Sequence, residues 1–214
     1  IQDDGERIPY TITREDVKAG FQKWKERTST SPSGRHLGHY KTWIQDDDLL
    51  DLLTLMIQIP IQFGFAPERW CQSLNVMLGK DPGNPMVHRL RVIHLYEADF
   101  NWVLKQFWAK RMLAYGEKHQ ALGEEQHGSR RARMAIDAVM LKLLSYDNSR
   151  TYRSDLMTMD NDAKSCYDRI LISLAMLASR RLGMPASVAR THAHTLRNML
   201  HRLRTSHGVS DEAY

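Results

Sequence analysis

Three aspartates, Asp160, Asp162 and Asp168, follow a short apolar run from Leu156 to Met159. The run has the length and composition of a buried strand, and a helical pattern starts just beyond Asp168. The sequence therefore predicts a strand that delivers carboxylates to its C-terminal end. Hard oxygen ligands of this kind suit Mg²⁺, which keeps several waters and shares its coordination with substrate phosphates. Such a site serves phosphoryl or nucleotidyl transfer. The same residues also read as structure alone: a polar loop at 160–162, and Asp168 in the first turn of a helix, where the dipole favours a carboxylate.

A chain of 214 residues, 42% apolar, can bury a sizeable core and is not a disordered polymer. Its net charge of +5 permits a nucleic-acid partner without requiring one. Arginines are dense at Arg130, Arg131 and Arg133 and again at Arg180 and Arg181, a residue type suited to bidentate phosphate contact. Cys71 and Cys166 have no metal-type spacing, which predicts a reducing, intracellular setting (nucleus or cytoplasm) and no disulfide framework. His192 and His194 are two apart, on different sides of a helix, and His36 and His39 lack thiolate partners, so structural zinc is not expected. The longest apolar stretch, 49–65, is broken by Asp51, Gln58, Pro60 and Gln62; it reads as a core helix and not a membrane span.

The elements that must position these groups follow in chain order. Thr13 and Asp16 resemble a capping box ahead of an amphipathic helix with Val17, Phe21 and Trp24 on one face. A Ser/Thr loop at 28–34 leads into Ser33-Gly-Arg-His-Leu-Gly-His-Tyr-Lys41, where Arg35, Lys41 and the glycines could approach a phosphate or simply turn into a short helix. Asp46 to Asp48 start a helix that is apolar nearly all round, with Pro60 kinking or ending it. Leu74, Val76 and Leu78 alternate in a strand, Asp81-Pro-Gly-Asn-Pro85 turns the chain, and residues 88–95 form a second strand. This hairpin exposes Arg89 and Arg91, either as a grip on template backbone or incoming triphosphate, or as the charge that protects an edge strand. A long amphipathic helix over 97–118 carries Phe100, Val103, Leu104, Phe107 and Trp108. Another follows over 134–146, and two more over 169–182 and 186–205 are separated by Gly183-Met-Pro185.

Asp162-Ala163-Lys164-Ser165-Cys166-Tyr167-Asp168 resembles the first catalytic motif of reverse transcriptases of the non-LTR retroelement and group II intron kind. Gln126-His-Gly-Ser-Arg-Arg-Ala-Arg-Met-Ala-Ile-Asp-Ala138 resembles the same family's fingers motif, usually Gln-x-Gly-Phe-Arg-x-Gly-Arg-Ser-x-x-Asp-Ala. Gln126, Gly128, Arg130, Arg133, Asp137 and Ala138 match, whereas Ser129 stands in place of Phe and Ala132 in place of Gly. The glycine-rich stretch before residue 41 and the order of strands and long helix over 67–118 resemble the approach to the fingers in that family. The resemblance implies Asp162 as the catalytic, metal-binding carboxylate, with the Ala163 carbonyl as a further ligand. It also implies Tyr167 as the gate that rejects a 2′-hydroxyl. Arg130, Arg133 and Arg91 would then face the incoming nucleotide, and Arg89, Arg131, Arg35 and Lys41 the nucleic acid. Without it, 126–133 is a basic loop ahead of a helix.

The fold so implied is α+β, mainly helical, the fingers and incomplete palm of a right-hand polymerase. Residues 1–45 would be an N-terminal helix and glycine/basic loop, 46–150 the fingers-like region, and 151–214 a partial palm. RNA template, DNA primer, dNTP and Mg²⁺ are the implied partners, with no membrane. The family's Gly-Gln-Gly and Tyr-x-Asp-Asp motifs are not in the sequence. Two-metal chemistry needs carboxylates from both places, so the expectation is a fragment without polymerase activity by itself. Two alternatives stay open: an RNA-dependent RNA polymerase-like fragment, against which the aromatic Tyr167 argues, and a non-catalytic helical nucleic-acid-binding protein.

Overall fold

A computed structural model describes residues 8–25, 32–80, 83, 86, 90–162 and 169–214. The fold is α+β, with a small four-stranded mixed sheet. The chain divides into a larger compact unit, Ile1–Met112 with Ile172–Tyr214, and a smaller one, Leu113–Leu171. These units follow contact density, whereas the sequence segments ending at residues 45 and 150 follow motif content.

In the larger unit, α1 (Arg14–Gln22) starts as its sequence dictates. Thr13 Oγ1 accepts from the Asp16 amide at 3.2 Å, and Asp16 Oδ2 accepts from the Thr13 amide at 3.3 Å. Val17 and Phe21 face inward. Helix α2 (Leu37–Trp43) is short, and α3 (Asp47–Phe63) is capped by Asp46. Pro60 sits inside α3 without ending it; the helix stops at Gly64, whose φ of 76° needs a glycine and whose missing Cβ lets Arg190 and Ser187 approach closely. Helix α3 is not buried all round. Leu50, Leu53, Ile57 and Ile61 are buried, while Leu49, Leu52, Leu55, Ile59 and Phe63 are exposed, because α1 and the helix Ala186–Arg197 cover only one side of it.

A 3-10 turn (Glu68–Cys71) leads into β1 (Gln72–Gly79), which pairs antiparallel with β2 (Leu90–Leu95), as the hairpin pattern predicts. Cys71 is a buried free thiol. Helix α4 (Ala98–Leu104) is followed by a π-helical segment (Lys105–Met112). Helix α7 (Ile172–Arg181) ends before Gly183, at φ 80°, and α8 (Ala186–Arg197) follows Pro185. The expected helix over 186–205 is half right. From Leu200 the chain becomes β3 (Leu200–Thr205), parallel to β1, with β4 (Gly208–Val209) beyond it, so the strand order is β2-β1-β3-β4. Pairing with β1, a partner remote in sequence, overrides the local helical spacing.

Aromatic rings fill the core. Phe21 stacks on Tyr40 at 4.8 Å and on Trp102 at 6.1 Å, with Trp70, Phe100 and Phe107 also fully buried. Gly20 makes room for this, since a Cβ there would lie 1.8 Å from the Trp102 indole nitrogen. Beside the rings, Arg69 holds two buried carboxylates. It bridges Asp99 with both guanidinium nitrogens and reaches Glu97 at 3.4 Å. Glu97 also accepts from the Ser33 amide and hydroxyl, each at 3.0 Å, tying the loop before α2 to the core. Burial, with Asp99 next in weight, pushes the Tyr40 phenol up to about 12.

The smaller unit comprises α5 (Leu113–Lys118), α6 (Ala135–Tyr152) and the segments joining them to Leu171. Leu156–Met159 is not a buried strand. Leu156 is 45% exposed, Met157 91% and Met159 85%, and the segment is irregular. Among the described residues it is tied to α6: Lys142 Nζ reaches both Asp160 oxygens at 2.7 and 2.8 Å, and the Tyr146 and Thr158 hydroxyls are 3.4 Å apart. No neighbouring strand pairs with it among the described residues, so its apolar side chains find no second layer.

Candidate nucleic-acid interface

The basic surface of the sheet is built by alternation. Residues two apart on a strand share a face, and directly paired residues on neighbouring strands share it too. Leu78 pairs with Arg91, Val76 with both Ile93 and Arg204, and Leu74 with both Leu95 and Arg202. Arg91, Arg202 and Arg204 therefore project from one face, among apolar side chains of which Leu78, Ile93, Leu200 and Val209 are exposed. A shallow cavity of about 150 Å³ lies on this face, lined by Pro32, Gln72, Leu74, Leu200, Arg202 and Val209. None of the three arginines is ion-paired with a described carboxylate, so each guanidinium can offer its donor fork to a phosphate.

Arg202 and Arg204 escape a helical reading, in which they would point to different sides. The signal was the alternation Leu200-His-Arg-Leu-Arg204. The opposite face is polar and partly buried: Asn75 Oδ1 lies 2.7 Å from His94 Nδ1 and 3.4 Å from His201 Nδ1, and Asn75 Nδ2 donates to the Tyr214 hydroxyl at 3.0 Å. The inward residues of β1 are thus Ser73 and Asn75, and the apolar set Leu74, Val76 and Leu78 lies on the more open face.

The stretch 33–41 is occupied by helix capping. His36 Nδ1 accepts from the Gly38 amide, and His39 Nδ1 from the His36 amide, each at 3.1 Å. Arg35 is half-buried with its amide on Ser33 Oγ. Lys41 lines a polar cavity of about 300 Å³ with Lys18, Gln22, Thr42 and Gln45.

In the smaller unit, Arg130 organises the loop before α6. Its Nε and one terminal nitrogen each bind a Glu117 oxygen at 2.7 Å, and the other terminal nitrogen reaches the Gly123 carbonyl at 2.6 Å. That hydrogen bonding holds the Glu117 carboxyl below its usual range. Arg133 donates to the Glu124 carbonyl at 2.6 Å, and Arg131 is exposed. Ser129 and Ala132 adopt left-handed backbone, with φ of 60° and 58°. Asp162 is exposed at the end of the irregular segment. Ala163, Tyr167 and Asp168, like Arg89 in the hairpin, lie outside the described residues, as do most of the 28–34 and 81–85 loops.

The structure thus joins Arg91 to Arg202 and Arg204, and Arg130 and Arg133 to one loop. Among the described residues no group of three or more His, Cys, Asp or Glu side chains gathers to hold a metal ion, and no helix is long and apolar enough to cross a membrane. No protein-family model matches the chain, and no curated protein is significantly similar to it.

Proposed function

We propose that the chain carries the fingers and the beginning of the palm of a right-hand, RNA-directed DNA polymerase of the non-LTR retroelement and group II intron kind. The observation that carries this reading is the presence of two family-like motifs in the family's order, 126–138 and 162–168. A detail of the backbone supports it: Ala132 stands where the family has glycine, and its φ of 58° is one that glycine adopts without cost. In this reading Asp162 and the Ala163 carbonyl hold Mg²⁺ and Tyr167 gates the sugar. Arg130, Arg133 and Arg91 serve the incoming dNTP, while Arg89, Arg131, Arg35 and Lys41 serve the RNA template and DNA primer. Arg130 would have to exchange Glu117 for the triphosphate as substrate binds.

The test is Mg²⁺-dependent primer extension on an RNA template by the complete translated protein that contains this sequence. Extension should fall to background in Asp162→Ala, and extension that survives the substitution sinks the assignment. Selectivity for deoxynucleotides that does not change when Tyr167 is made small would favour an RNA-polymerase relative instead. A second reading, a non-catalytic nucleic-acid-binding module, is favoured by Arg91, Arg202 and Arg204, which share one sheet face and pair with no described carboxylate. It predicts salt-dependent RNA binding that Asp162→Ala leaves intact and Arg202→Gln with Arg204→Gln weakens.

A further inference from the structure

We propose that the cavity between α1 and the π-helical segment binds a compact phosphate-bearing anion, one or two phosphate groups in size, on the ammonium groups of Lys23, Lys105 and Lys110. The cavity measures about 230 Å³, and its walls include Trp24 and Trp102 as well as the three lysines. It shares no residue with the motifs above and does not rest on the polymerase reading.

The winding of the backbone creates the site. In an α-helix, positions 105 and 110 point to different sides. A π-helix bonds i to i+5, so residues five apart come round to one face, and Lys105 and Lys110 both line the cavity. Such windings are rare and concentrate at functional sites. Each lysine on this segment is held in place. Lys105 lies over the Trp24 ring, 5.7 Å from its centroid, and Lys110 donates to Gln106 Oε1 at 2.9 Å. Lys23 comes from the end of α1, and Gly20 lets the Trp102 indole form the wall between them.

Among the described residues, no carboxylate is ion-paired with the lysines of this cavity. The nearby carboxylate, Asp16, accepts from Gln106 Nε2 at 3.1 Å and pairs with Arg111 at 2.8 Å, so its charge is shared with a different cation. Partial burial first, and then the neighbouring Lys105 and Lys23, push the Lys110 ammonium below its usual range. A di- or trianion would relieve this repulsion, and lysine suits it as a flexible point charge for phosphate.

Calorimetric titration with inorganic pyrophosphate at fixed ionic strength tests the site. One equivalent should bind and change the tryptophan fluorescence. The double variant Lys105→Gln, Lys110→Gln should bind about a hundredfold more weakly, roughly tenfold per lost charge-assisted bond. Lys142→Gln, in the smaller unit, should bind as the wild type does. Absence of binding at millimolar pyrophosphate, or equal affinity in the double variant, overturns the proposal. Should the double variant lose its fold, acetylation of the unaltered protein gives the same decision. Pyrophosphate should shield Lys105 and Lys110 from the reagent, and equal labelling with and without it overturns the site. A short single-stranded RNA that displaces pyrophosphate identifies backbone phosphate as the source; failure to displace it identifies a free anion.

Discussion

Helix α3 in the larger unit turns Leu53, Ile57 and Ile61 inward until none is exposed, whereas α6 in the smaller unit leaves Ile136, Val139, Leu141 and Leu144 each more than half exposed. Helix α6 has no buried residue, and in the smaller unit Gly116 is buried alone among the described residues. The larger unit is therefore held by burial of rings and branched chains, while the smaller is held by hydrogen bonds and ion pairs such as Arg130 with Glu117 and Lys142 with Asp160. Solvent-screened pairs of that kind contribute little to stability. In proteins most of a helix's stability comes from packing an apolar face, and α6 buries none. Helix α3 thus has α1 and α8 to pack against, whereas among the described residues of its own unit α6 buries none of its apolar side chains.

The widest contrast comes from truncating one side chain in each unit. Phe107→Ala should cost about 3–5 kcal/mol through loss of burial and the cavity left behind, whereas Leu144→Ala should stay within roughly 0.5 kcal/mol. Urea unfolding of both variants measures this. Equal losses would mean that α6 is covered in solution.

A second contrast uses pH. His192 is packed between Phe100 and Trp108, and burial holds its imidazole down at about 4. Between that value and the ordinary histidine value near 6.5, the unfolded chain binds a proton that the native state refuses. Stability should therefore be full above about pH 6.5 and fall as the pH drops toward 4, by up to about 3 kcal/mol. Replacing His192 with Phe should flatten that slope, as read from urea midpoints at pH 4.5 and 7. An unchanged slope would assign the acid sensitivity to other groups.

The smallest effect belongs to the smaller unit's backbone. Ala132→Gly should relieve the left-handed strain at φ 58° and stabilise the loop by about 1 kcal/mol. The gain should appear as slower amide exchange over residues 124–133 with no change in the melting of the larger unit. A shift of the whole transition would instead show that the two units unfold together.

Where structure depends on neighbours in sequence, the chain was legible. The Thr13 capping box, the Asp46 cap, the β1–β2 hairpin and the stop at Gly183-Met-Pro185 all stand as read. What escaped depends on distant partners or on winding. Leu196, Met199, Leu200 and Leu203 fit a helical spacing until β1 pairs with 200–204, and Leu156–Met159 has a strand's composition but no strand beside it. Alternation could have revealed Arg202 and Arg204. The Lys105–Lys110 pair could not have been found, because ordinary helical pitch separates them.

The parallel pairing of β1 with β3 also sets a timetable for synthesis. Asn75 and His201 meet across 126 residues of sequence. At the usual rate of about 5–20 residues per second, roughly 6–25 s separate the emergence of β1 from that of its partner. Throughout that interval β1 has only the β2 hairpin beside it, its other edge is open to any passing strand, and the polar side chains of Ser73 and Asn75 wait in water. β3 is thus the strand that covers the open edge of β1, and a nascent chain stalled before Leu200 would present an adhesive edge to its neighbours on the same message.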